Sequence, residues 1–288
     1  MLDRVLGLKP NRILMTGNGT TEVVPLQTGS APDEFGLDPD FIARRNRGAF
    51  RFLCDRYWRI EVRGLEHVPR QGAAVLVGTH RGFIPWDAVM ILHLISRQTG
   101  RIPRFLTHPG LLRFSPIARF IRRVGGVLAC QESADGILAG GGLLGVYPEG
   151  VQGAFSLYRD AYRVRNFGRY DFVKMALRHR APIIPFVNVG SAESLPVFAQ
   201  IKWRWWMRWA DWPCLPIATF PFIPAPLPSK WHIQFLPPLE VEQQHPPQAA
   251  LDYSLVRTIG RGVRAQMQET MDALLRRRRR VFWGSVFD

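Results

Sequence analysis

AAVLVGTHRGFIPWD, residues 73–87, is the stretch from which the rest of the chain can be read. Its first six residues form an apolar run, the pattern of a strand buried on both faces. Gly82 and Pro85 then mark a loop, and Pro85 suits the first turn of a helix over 85–98. A buried strand followed by a loop and a helix is one unit of an α/β fold. The spacing puts His80 in the loop at the strand end and Asp87 at about the third helical position. Two readings stand at this point. Asp87 orients the imidazole and stabilises it once protonated, or Asp87 complements the helix dipole while His80 is a satisfied loop residue.

The same alternation continues on both sides. RIEVRG (59–64), PRFLTH (103–108), GGVLAC (125–130), LLGVYPEG (143–150), APIIPFVNVG (181–190) and WHIQFLPPLE (231–240) read as further strands. Helices are expected at 111–123, 133–140 and 169–180, between strands. The expected fold is α/β, a mostly parallel central sheet flanked by helices, with peripheral interfacial helices. Residues 1–37 read as a loosely ordered lead-in, and Asp38–Pro39 as the cap and first turn of a basic amphipathic helix over 38–58. Residues 246–288 read as a C-terminal basic helix and tail ending in the arginines 276–280.

At 288 residues, 47% hydrophobic and 21% charged, the chain has the composition of a globular protein. Its net charge of +15 suggests an anionic partner: acidic lipid, a phosphorylated substrate or nucleic acid. No nucleic-acid module is recognisable, so nucleic acid is not expected. The cysteines, 54, 130 and 214, have neither disulfide-framework nor zinc-ligand spacing. The first residues lack a secretory-signal pattern. Trp212–Pro228 carries six prolines and would not hold a continuous spanning helix. There is no GxxxxGK[ST], no strand-borne GxGxxG and no GxSxG. Cys130 reads as structural, and His93 and His108 lack partners at ligand spacing.

Three features besides His80 attract chemistry. YPEG (147–150) closes a buried strand, as His80 does, and ligands in open α/β sheets bind at such strand ends. After it come Arg159, Arg163, Arg165 and Arg169 among aromatics, readable as a solvated loop or as a site for phosphate. In KWRWWMRWADW (202–212), a helical wheel sets Trp203, Trp205, Trp206, Trp209 and Trp212 on one half, opposite Arg204, Arg208 and Asp211. Tryptophans opposite cations describe a helix lying in a headgroup region, and segment 200–228 is expected to face a membrane.

In chain order, THRGFIPWD (79–87), GGVLACQES (125–133), VYPEGVQG (146–153) and APIIPFVNVG (181–190) resemble the motifs of the glycerolipid acyltransferase family. The resemblance implies an acyltransferase-like domain over 59–245. It implies that His80 acts as general base on a lipid hydroxyl with Asp87 orienting it, and that Tyr147, Glu149 and Gly150 shape the acceptor pocket. The acyl donor would be acyl-CoA or acyl-ACP, with no metal or other cofactor, and the protein would be peripheral on the cytoplasmic face of a membrane with acidic lipids. This sequence departs from the family at the spacing of His80 and Asp87, which matches a divergent branch with neutral acceptors. It departs again at two arginines that grip the acceptor phosphate, where Gln131 and Gln152 stand. Either Arg159 and Arg163, with their neighbours, hold a phosphate, or the acceptor has none.

Overall fold

A computed structural model describes residues 31–82, 84–165, 167, 168, 170–219, 226–278, 281 and 282. Most of the expected lead-in, Arg169, residues 220–225 of the proline-rich segment and residues 279 and 280 of the arginine run lie outside them. The strands are β1 (Glu61–Arg63), β2 (Ala74–Gly78), β3 (Arg104–Thr107), β4 (Val127–Leu128), β5 (Leu143–Val146), β6 (Ile183–Val189), β7 (Val197–Ile201), β8 (Leu215–Ala218) and β9 (His232–Phe235). The first half contributes helices α1 (Pro39–Arg47), α2 (Ala49–Phe52), α3 (Trp86–Thr99), α4 (Pro109–Leu112), α5 (Ser115–Arg123) and α6 (Gln131–Ala139). The second half contributes α7 (Gly150–Ala154), α8 (Asp171–Arg178), α9 (Ser191–Ser194), α10 (Arg204–Ala210), α11 (Val241–Gln244) and α12 (Tyr253–Arg277).

Seven strands form one sheet in the order β1-β9-β6-β2-β5-β3-β4. β6, β2, β5, β3 and β4 run parallel, while β9 is antiparallel to β6 and β1 parallel to β9. The mostly parallel α/β sheet is therefore as expected. Its central strands read as unbroken apolar runs because both faces are covered. On one face Val75, Val77, Leu144, Ile183 and Val187 pack against α6, α8 and α12. On the other, Leu76, Leu143, Ile184 and Phe186 pack against α1, α2 and α3, with Trp58 and Trp231 stacked at 4.5 Å. Gly78 allows this second face to close over β2. A Cβ there would meet the Phe186 ring at 2.1 Å.

The local differences have identifiable causes. Asp38 caps α1 as read, its carboxylate accepting from the Phe41 N–H at 2.7 Å. The expected helix 38–58 is broken at Gly48, then continues as α2 and a π-helical turn over Leu53–Tyr57. The expected helix 111–123 divides where Phe114 turns extended and Pro116 restarts the spiral. Pro85 is the cap of α3, so Asp87 stands second in the helix rather than third. The antiparallel pair β7–β8 was not anticipated. It carries α10 between its strands.

A buried polar bridge joins α1 to α3. His93 donates from Nδ1 to the Asn46 carboxamide oxygen at 2.7 Å, and Asn46 donates to Ser96 Oγ at 2.9 Å. Burial, and then the charges of Arg97 and Arg51, depress the His93 pKa from 6.5 to about 3. The unfolded chain thus takes up this proton near neutrality while the folded chain resists it. The resulting stability is whole above pH 6.5 and is lost as pH falls toward 3. Urea unfolding between pH 7.5 and 4.5 should show stability falling with pH, His93 contributing at most about 1.4 kcal/mol per pH unit. That share should vanish in His93→Gln.

Candidate active site

His80 follows β2, and Tyr147–Gly150 follows its parallel neighbour β5, with Val77 opposite Val146 in register. Both expected strand-end motifs thus share one end of the sheet. His80 Nδ1 lies 2.7 Å from Asp87 Oδ2 and 2.9 Å from Oδ1, and the Asp87 side chain is buried. A carboxylate can only accept, so Nδ1 carries the proton and Nε2 presents its lone pair. Asp87 is itself held in place. Its oxygens accept the N–H groups of Arg81 at 3.1 Å and Ala88 at 2.8 Å, at the positive end of α3. His80 is 9% exposed, and no described residue hydrogen-bonds its Nε2. Gly82, at φ +94°, lets the loop turn back between histidine and helix.

Tyr147 lies under the imidazole, its ring stacked on His80 at 4.7 Å and on Phe105 at 5.4 Å. Its hydroxyl is buried without a hydrogen-bond partner among the described residues. Burial, and then the charge of Asp87, raise the phenol pKa well above its ordinary value.

Arg81 fixes the backbone of the site. Its Nε donates to the Ala161 carbonyl. Its Nη1 donates to the His80 carbonyl at 2.7 Å and to Glu149 Oε2 at 2.5 Å. Its Nη2 donates to Glu149 Oε1 at 3.2 Å and to the Arg163 carbonyl at 3.1 Å. All the N–H groups of the guanidinium are thereby occupied. Glu149 also accepts the Arg165 N–H at 2.7 Å. The loop around residues 160–165 is tied down at its other side by a second buried cluster. Tyr162 Oη and Arg278 Nη1 both donate to Glu193, the Gly190 N–H donates to Tyr162 Oη at 3.0 Å, and Arg278 Nη2 donates to the Lys230 carbonyl at 3.1 Å.

The other residues singled out in the sequence are placed differently. The Glu149 carboxylate, expected in the acceptor pocket, is spent on Arg81 and a backbone N–H. Gly150 begins α7 at φ +56°, and Gln152 is exposed on that helix. Gln131 is exposed at the start of α6, bonded to Asp135 at 3.3 Å. Arg159 and Arg163 are exposed, Arg159 lying 3.8 Å from Asp160. Of the five tryptophans expected on one outward face, Trp203, Trp205 and Trp209 are about half exposed, at 52, 58 and 48%. Trp206 and Trp212 are less exposed; Trp212 lies beyond the end of α10, which Asp211 closes at φ +56°, and packs on Phe155 at 5.2 Å. His108 caps α4, accepting from the Gly110 N–H at 3.1 Å.

Sequence reasoning missed Arg81, although it adjoins His80. An arginine in a strand-end loop reads as solvated unless its counter-ion is foreseen, and a buried Glu at the end of the neighbouring strand was the available signal. Among the described residues, no group of three His, Cys, Asp or Glu side chains is arranged to hold a metal ion. No helix among them is long and apolar enough to cross a membrane.

Comparison with known proteins agrees with the motif order. Residues 59–189 match the Acyltransferase family model, and the four motifs fall within one residue of that span. An uncharacterized protein of Mycobacterium tuberculosis is 35% identical over 259 residues, covering 88% of this chain and 72% of the relative. One of Mycobacterium leprae is 34% identical with 88% and 70% covered. The crystal structure of the 1-acyl-sn-glycerophosphate acyltransferase PlsC from Thermotoga maritima superposes with a TM-score of 0.49 at 20% identity, over 80% of this chain and 78% of that one. By its family match and its mycobacterial relatives, this chain belongs to the acyltransferase family.

Proposed function

We propose that the protein transfers a fatty acyl group from acyl-CoA or acyl-ACP to a hydroxyl of a glycerolipid such as lysophosphatidate, working at a membrane surface. The observation that carries this reading is the buried His80–Asp87 pair, with Nδ1 engaged and Nε2 left without a hydrogen-bond partner among the described residues. Nε2 takes the proton of the acceptor hydroxyl as its oxygen attacks the thioester carbonyl. Asp87 stabilises the imidazolium so formed. The carbon–sulfur bond breaks as the tetrahedral adduct collapses, and the leaving thiolate receives the proton from His80. No acyl-enzyme is required.

Membrane-surface action is supported by the half-exposed Trp203, Trp205 and Trp209, with Lys202, Arg204 and Arg208 exposed among them. Phe198 and Ile201 of β7 add exposed apolar surface beside them. A partner surface of acidic lipid suits the net charge of +15.

A second reading, in which the acceptor is neutral (diacylglycerol or a fatty alcohol), is favoured by one observation. The buried arginine nearest His80 has no N–H left for a phosphate. A phosphorylated acceptor would have to rest on the exposed Arg159, Arg163 or Arg165, and glutamines at 131 and 152 supply no charge.

Acyl transfer from palmitoyl-CoA and palmitoyl-ACP to lysophosphatidate, diacylglycerol and oleyl alcohol tests both readings. His80→Ala should lower kcat by roughly 10²–10⁴-fold without unfolding the protein. Wild-type-like turnover in that variant would remove His80 from the chemistry. Glu149→Gln leaves the Arg81 cation buried with a weakened partner and should cost about 3–5 kcal/mol in chemical denaturation. Serine at Trp205 should weaken flotation with phosphatidylglycerol vesicles roughly tenfold, about 1.4 kcal/mol, with little change on DNA.

A further inference from the structure

Asn188, near the end of β6, is fully buried, yet neither its carboxamide oxygen nor its nitrogen has a hydrogen-bond partner among the described residues. Such a group costs folding free energy, because it has given up water for nothing. Two of its neighbours are apolar. Phe186 precedes it by two residues on the same face, and Ile233 of β9 stands opposite it. On the other flank, Gly78 of β2 is in register with Phe186. Two residues further along both strands, that parallel register sets His80 beside Asn188 on the same face. The two segments stay in contact past the end of β2, the Asn188 N–H donating to the side-chain Thr79 Oγ1 at 3.3 Å.

We propose that the Asn188 carboxamide is a catalytic hydrogen-bond donor, its N–H bonding the thioester carbonyl oxygen as that oxygen becomes an oxyanion. The inference rests on the acyl-transfer reading. Neighbouring strands are about 4.8 Å apart, so a carbonyl carbon attacked by a hydroxyl on His80 Nε2 lies within a side chain's reach of Asn188. As the new C–O bond forms, the hydroxyl proton passes to Nε2 and the carbonyl electron pair moves onto its oxygen, where the amide N–H meets it. When that pair returns, the C–S bond breaks and the thiolate takes the proton from His80. The donor is fixed in the strand and shielded from water, which is the condition under which such a bond favours the transition state over the ground state. An amide that waits unpartnered in the free enzyme gains its bond when charge develops beside it.

The test separates this role from a structural one. Asn188→Leu has similar volume and removes the orphaned amide. Its melting temperature should equal or exceed that of the wild type, while kcat with palmitoyl-CoA falls roughly 10²–10³-fold and KM changes little. Asn188→Ser and Asn188→Ala form a second pair of nearly equal size, in which Ser keeps an O–H donor and should retain at least tenfold more kcat. A kcat within threefold of wild type in Asn188→Leu overturns the proposal. So does a large drop in its melting temperature, which would show that the amide serves folding, and so do Ser and Ala variants of equal rate. A wild type that acylates none of the acceptors from either donor defeats the acyl-transfer reading itself, whereas an active wild type with an equally active Asn188→Leu defeats this proposal alone.

Discussion

A guanidinium buried beside a histidine would normally disfavour positive charge on the imidazole. Arg81 does not act as a free cation, because Glu149 neutralises it at 2.5 Å and three backbone carbonyls take up its other N–H groups. The same contacts join the ends of β2 and β5 to the loop around residues 160–165. One of them fixes the His80 carbonyl, while the Arg81 backbone N–H fixes Asp87. A buried pair of this kind adds little net stability over apolar packing. What it gives here is position: the imidazole, its carboxylate and the loop beneath them cannot shift independently. The YPEG glutamate is in this respect a framework residue, its carboxylate bonded to Arg81 and to the Arg165 N–H.

The excess positive charge divides in the same way. Arg81, Arg104 and Arg278 are matched by Glu149, Asp33 and Glu193 inside the protein or at its edge. Arg44, Arg45, Arg47, Arg51 and Arg56 are exposed along the first helical stretch. A count of charges taken from the sequence cannot separate these populations, since only burial decides which cations keep a field that reaches solvent.

What the sequence made legible follows from the range of the interactions. β2, β5 and β6 were readable because their faces are covered on both sides, which writes a continuous apolar run into each. His80 and Asp87 were readable as a pair because they belong to one strand–loop–helix unit. The Arg81–Glu149 bond joins residues 68 positions apart, and no local pattern encodes it. β8 escaped because Pro213 and Pro216 read as breakers, although a two-stranded ribbon tolerates proline where no ladder N–H is needed, and β7 lost with it the partner that makes it a strand. Asn188 was hidden inside an apolar strand. Its interest lies in a missing partner, which only the packed structure reveals.

The cluster around Glu193 bears on how the chain is made. Tyr162, which anchors the loop under Arg81, and Gly190, at the end of β6, are both bound to a group completed by Arg278. β1 likewise finds its neighbour only in β9, Glu61 opposite His232. During synthesis from the N-terminus the sheet's middle strands can pair early, but the loop that steadies the histidine stays without its anchor until the end of α12 has left the ribosome. A nascent chain carrying every residue of the four motifs would therefore still lack the anchor of the loop beside His80 until Arg278 had been added.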